Sequence, residues 1–107
     1  MTVNIKNLGE GQFASSKATL YTVPAATEAV ATSITGVNTD SSARTINLYY
    51  KKSGQTSRRI IPKDLSVAAG ADFTIDKRIS LENGDILEGD ASAADVVDYV
   101  ISGVENS

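Results

Sequence analysis

Apolar and polar residues alternate with a period of two along most of this chain, and no segment carries an apolar stripe at helical spacing over three turns. The pattern predicts an all-β fold. The sharpest run is Arg44 to Tyr50, where Ile46, Leu48 and Tyr50 share one face and Thr45, Asn47 and Tyr49 the other. Ile46 and Leu48 are expected in the core. Upstream, Ala18 to Val23 is a Thr, Tyr and Val-rich strand stopped by Pro24, and Glu28 to Asn38 sets Val30, Thr32 and Ile34 against Ala29, Ala31 and Ser33. Asn38 to Ser42 is a turn cluster.

Downstream, Ser53-Gly54 predicts a hairpin turn between Lys51-Lys52 and a strand over Ser57 to Ile61, closed by Pro62. Short strands are predicted at Leu65 to Val67, Asp72 to Ile75, Ile79 to Leu81 and Ile86 to Gly89, with Asn83-Gly84 as the strongest turn dipeptide. The final segment, Asp95 to Val104, carries apolar residues on both faces: Val96, Val100 and Val104 on one, Val97, Tyr99 and Ile101 on the other. Such a strand is interior, or packs against another subunit. Eight or nine short strands with regular turn signals describe one β-sandwich domain over residues 1–107, jelly-roll or immunoglobulin-like, or a small barrel. Residues 1–14 are expected to form an extended N-terminal arm.

Composition narrows the chemistry. Four Tyr, two Phe and no Trp leave a core that relies on aliphatic side chains, so a sandwich of 107 residues is expected to gain stability from neighbours in an oligomer. With His and Cys both absent, the usual proton shuttle, thiol nucleophile and commonest transition-metal ligands are missing, and no disulfide is available. A carboxylate pair drawn from Glu82, Asp85, Glu88 and Asp90 is the remaining catalytic option, but the chain lacks the aromatic platforms that glycosidases use. The expectation is a protein that is not an enzyme, with no catalytic residue and no cofactor. No stretch reaches the roughly 20 apolar residues of a membrane helix, and the N-terminal run lacks the apolar core of a signal peptide. Synthesis in the cytoplasm and no membrane contact follow as expectations.

Charge is divided unevenly along the chain. From Ile79 to Ser107 there are seven acids and no Lys or Arg, whereas the preceding residues hold all ten Lys and Arg against six acids. Opposite charges at the two ends of a small domain suit contact with other proteins. Lys51, Lys52, Arg58, Arg59 and Lys63 gather on one predicted hairpin, but a pI of 4.8 and the scarcity of interleaved aromatics argue against nucleic acid as the partner. An acidic protein surface suits that hairpin better, beside the plainer reading of a solvated, aggregation-resistant edge. Asp85, Asp90, Asp95 and Asp98 are of the type that binds calcium, yet EF-hand spacing is absent, and a solvated acidic end is expected with no metal. Tyr49 and Tyr50 point to opposite faces, one into packing and the other toward a partner. The candidate protein-contact residues are therefore Lys51, Lys52, Arg58, Arg59, Tyr49, Tyr50, Asp95 and Asp98.

Leu20-Tyr21-Thr22-Val23-Pro24-Ala25, the strand ending in Asn38-Thr39, and Ile46-Asn47-Leu48-Tyr49 together resemble small virion proteins of tailed bacteriophages. Ile61-Pro62-Lys63-Asp64, Ala69-Gly70, Ile79 to Asp85, Ala91 to Ala94 and Ser102-Gly103-Val104-Glu105 continue that likeness, which runs from about Ala18 to Glu105. The resemblance implies a β-sandwich structural part of the virion, expected first as a capsid decoration or cement protein that binds and stabilises the head. Its implied partners are the major capsid protein or other virion proteins, with self-association into a homo-oligomer, by preference a trimer. Tail, neck or fibre components are the alternative within that class, and a carbohydrate-binding host-attachment module is the alternative outside it.

Overall fold

Residues 2–107 are described by the computed structural model. The alternation read above becomes ten strands: β1 (Val3–Gln12), β2 (Ala18–Thr22), β3 (Glu28–Asn38), β4 (Arg44–Lys51), β5 (Ser57–Arg59), β6 (Leu65–Val67), β7 (Asp72–Ile75), β8 (Ile79–Leu81), β9 (Ile86–Ala91) and β10 (Val97–Asn106). Among the described residues there is no helix. Turn chemistry closes the connections where it was expected. Gly84, for example, takes φ +85 after Asn83, a conformation that costs a residue with a Cβ far more.

The strands pair as nested antiparallel partners. β1 lies on β10, β2 on β9, β3 on both β7 and β8, and β4 on both β5 and β6. Two further pairings, β10 with β3 and β9 with β4, join these into sheets of order β1-β10-β3-β7/β8 and β2-β9-β4-β5/β6. A long hairpin of four strand pairs, wrapped so that alternate pairs fall in opposite sheets, is a jelly roll. Counting β7/β8 and β5/β6 as one broken edge strand each gives its eight strands. This order decides between the two sandwich topologies that periodicity left open. Within the stretch expected as an arm, Val3–Gln12 forms β1 of the first sheet, hydrogen-bonded along β10 with one bulge between Asn7 and Gly9.

Between the sheets lies one core. Ile46, Leu48, Leu81, Leu87, Ile101 and Ile34 are almost fully buried, as the aliphatic composition demands. Its centre is aromatic, however: Phe13 is 0% exposed and its ring sits 4.9 Å from Tyr99 and 6.4 Å from Phe73. Close approach at this point requires Gly36, where a Cβ would stand 1.9 Å from the Asp98 carbonyl oxygen and 2.7 Å from the Phe73 ring.

Two buried carboxylates fasten the layers. Glu105 of β10 accepts from the Tyr21 hydroxyl of the opposite sheet at 2.6 Å and from Lys6 Nζ at 2.9 Å. These two donors hold its carboxyl below the usual range, while burial and the same contact push the Tyr21 phenol up. Asp85, 1% exposed, accepts from the Tyr50 hydroxyl and from the backbone N–H groups of Ser53 and Glu82. Burial alone would raise its carboxyl, but these donors, with Lys52 nearby, leave it lowered.

Candidate interaction surface

The two outer faces are set by register. On the second sheet, Asn47, Tyr49 and Lys51 of β4 stand outward, opposite Asp90, Glu88 and Ile86 of β9 and, for Tyr49 and Lys51, opposite Arg59 and Ser57 of β5. Most of the polar groups there bond to one another. Asn47 Nδ2 donates to Asp64 at 3.0 Å and to Asp90 at 2.8 Å, while its Oδ1 accepts from Arg59 Nη1 at 2.7 Å and from the Asp64 N–H at 2.9 Å. Tyr49 donates its hydroxyl to Asp90, and its ring is approached by Lys17 Nζ at 4.3 Å and the Arg59 guanidinium at 5.1 Å. Desolvation, then the Asp90 carboxylate, raises the Tyr49 phenol above its ordinary value.

The residues singled out from the sequence are therefore dispersed. Tyr49 is only 8% exposed beneath its two cations, and Tyr50, on the inner face, is tied to Asp85, so neither ring offers an open platform. Arg59 is held by Asn47 and Lys52 by Glu82, whereas Lys51 is half-buried at the end of β4 and Arg58 is exposed on β5. Asp95 sits exposed in the turn before β10 with φ 62, its N–H donating to the Phe13 carbonyl. Asp98 belongs to the other sheet and accepts from Gln12.

Nor do opposite charges collect at two ends, as the linear division suggested. Nested pairing threads β9 between β2 and β4 and β10 between β1 and β3, so the C-terminal acids are interleaved with earlier strands. Glu105 meets Lys6, Glu82 meets Lys52, Glu88 accepts from Ser57, and Asp85 is buried. Among the described residues no group of three or more His, Cys, Asp or Glu side chains is placed to hold a metal ion.

The first sheet presents a different outer face. Since Val97, Tyr99, Ile101 and Glu105 of β10 point inward, the intervening residues and their cross-strand partners form the outer rows. These rows are Gln12, Asp98, Val37 and Asp72; then Glu10, Val100, Thr35 and Thr74; then the polar row Asn7, Ser102 and Ser33; then Ile5, Val104, Val30 and Ser80; and finally Val3, Asn106 and Glu28. Ile5 is 95% exposed and Val3 65%, with Val37 and Val100 at 39% and 40%. The ionisable residues of these rows, Glu10, Asp98, Asp72 and Glu28, are all acidic.

At one end of this face lies a groove of about 290 Å³ lined by Val30, Val104, Glu28, Glu82, Ser80 and Asn106 among others. Asn106 Oδ1 is buried and has no hydrogen-bond partner among the described residues. Sequence reasoning found half of this surface, through the apolar residues on both faces of β10. It missed Ile5 and Val3, because nothing in residues 1–14 shows which face of β1 is covered.

No protein-family profile matches the chain, and no curated protein does. Solved structures do. A chain in the structure of infectious bursal disease virus, Gx strain, superposes with a TM-score of 0.55 at 16% identity, covering 97% of this chain and 32% of that one. The Gt strain of the same virus gives a TM-score of 0.50 at 11% identity, again covering 97% of this chain and 32% of the viral one. The likeness establishes a shared sandwich fold, and this chain spans about a third of the length of those it matches.

Proposed function

We propose that this protein is a non-catalytic structural component of a virus particle, and that in a tailed bacteriophage it decorates or cements the head. The observation that carries this reading is the outer face of the first sheet, where exposed Val3, Ile5, Val37 and Val100 stand among acids, unlike the bonded face opposite. Exposed aliphatic rows on a small sandwich suit burial against another protein, and burying one Ile side chain is worth about 1.5–3 kcal/mol. The fold likeness to chains of a virus structure supports the role in a virus particle, and the resemblance of the sequence to small phage virion proteins supports the placement in a tailed bacteriophage. In this role the chain bridges neighbouring subunits of the shell, and its binding adds stability to the assembled state by mass action.

The test is quantitative mass spectrometry of purified particles of the virus that encodes the chain. The expected result is a copy number equal to, or a simple fraction of, that of the major shell protein. A many-fold smaller number would instead place the chain in the tail, neck or fibres, and absence from the particle would overturn the structural role.

A further inference from the structure

Three edges of the sandwich are blunted against further strand pairing. β5 and β6 are short and parted by a segment holding Pro62 and Lys63, β7 and β8 are parted by Asp76, Lys77 and Arg78, and β2 is bulged at Leu20. The fourth edge, β1, runs regularly from Val3 to Asn7, and there every residue is exposed. Thr2 and Ser107 exchange both backbone hydrogen bonds, at 2.6 and 2.9 Å, so the antiparallel register turns the N–H and C=O groups of Asn4 and Lys6 toward β10. Those of Val3, Ile5 and Asn7 point to the open edge and have no backbone partner among the described residues.

We propose that this edge pairs with the same edge of a second copy of the chain, antiparallel about a two-fold axis between the two Ile5 residues. Self-complementarity selects that occupant. The free groups are spaced evenly about Ile5, so Val3 bonds with the partner's Asn7, Ile5 with the partner's Ile5 and Asn7 with the partner's Val3, and every free group meets one of matching phase. The segment holds one charge, Lys6, which Glu105 already binds and which falls opposite the partner's Asn4, so no like charges face each other. On the outer face the row Val30, Val104 and Ile5 continues directly into the partner's Ile5, Val104 and Val30, which covers part of the 95% exposed Ile5 side chain. A foreign strand would have to reproduce this phase, neutrality and central aliphatic residue, all of which β1 supplies itself. The pairing joins the two first sheets into one, and because each copy uses its single open edge, it closes as a dimer. The contact is narrow, so a dissociation constant of about 0.1–1 mM is expected and dilute chain is monomeric.

Sedimentation of the full chain below and above that concentration range tests it, with a shift from monomer to dimer expected. Ile5→Lys and Ile5→Glu should each weaken association several-fold, because the new charge faces its own copy, and their equimolar mixture should associate several-fold more tightly than either alone. Lys63→Glu, on the far edge, should leave association unchanged. In a chain without Cys, Ile5→Cys should oxidise to a linked dimer much faster than Val3→Cys, since opposed Cα atoms at Ile5 stand about 5.5 Å apart whereas Val3 faces Asn7. A monomer throughout, association untouched by Ile5→Lys, a mixture no tighter than its components, loss of association in Lys63→Glu, or equal oxidation at the two positions would overturn the inference. It does not depend on the virion role: a chain that stays monomeric yet is found at lattice copy number on particles would sink the edge pairing and leave that role standing.

Discussion

On the outer face of the second sheet, Asn47 gathers Asp64, Asp90 and Arg59 around itself and Tyr49 lies under two cations; on the outer face of the first, Ile5 and Val3 stand in solvent on a face whose ionisable residues are acidic. Both faces come from the same geometry, with alternate residues of antiparallel strands pointing away from one core. The difference lies in how their side chains are satisfied. A face whose donors and acceptors already bond within the chain has little to gain from a partner, whereas exposed aliphatics gain on being covered. For this protein the more charged hairpin is thus the more self-contained region, and the strand face with fewer charges is the better candidate for contact.

The largest effect should come from removing what both faces depend on. Phe13→Ala empties the aromatic centre and should cost about 3–5 kcal/mol, read by chemical denaturation, enough to leave a marginal domain partly unfolded. Next, Asn47→Ala deletes four hydrogen bonds on the second face and strands the partners they satisfied, which should cost about 2–3 kcal/mol in the same assay. A loss below about 0.5 kcal/mol would mean that the network on that face is solvated rather than structural.

Acid should act between these extremes. Asp85 and Glu105 both have lowered folded pKa values, so the stability they contribute is present above the ordinary carboxylate range and is lost as pH falls through the folded values. The denaturation midpoint should therefore drop below about pH 4, and Glu105→Gln should flatten part of that fall. An unchanged acid limb in that variant would remove Glu105 as the clamp between the sheets. The smallest effect on stability is expected at Ile5, where replacement by Lys should change unfolding by less than about 0.5 kcal/mol, because a side chain 95% exposed contributes little packing.

How much of this was legible in the sequence depended on whether alternation was one-sided. β6, β7 and β8 fall where the periodicity put them, because each sets one apolar row against one polar row. β3 falls there too, but a bulge at Thr32 turns Val30 outward and Ile34 into the core, on opposite faces rather than the shared one that alternation predicts. β1 was not read as a strand of the sheet: Gly9 and Gly11 interrupt it, and its first half overhangs the core with both faces exposed. Phe13 is a single apolar residue after that strand and gave no periodic signal, although it centres the core. Tyr49 sits on the expected face, but its cover comes from Lys17 and Arg59, which only pairing brings near. Charge along the chain misled because nested pairing mixes early and late strands. What the sequence did disclose of the contact surface was β10, apolar on both faces: one row fills the core and the other, Val100 and Val104, lies outward.

The direct test is to place the same charge on each face and count bound protein. Particles stripped of the native chain would be reconstituted with Ile5→Lys or with Thr19→Lys, the latter an exposed position opposite Glu88 on the second sheet. Occupancy should fall about tenfold or more for Ile5→Lys, equivalent to about 1.4 kcal/mol, and stay near wild type for Thr19→Lys. Full occupancy with Ile5→Lys and loss with Thr19→Lys would contradict the assignment and move the contact to the second sheet.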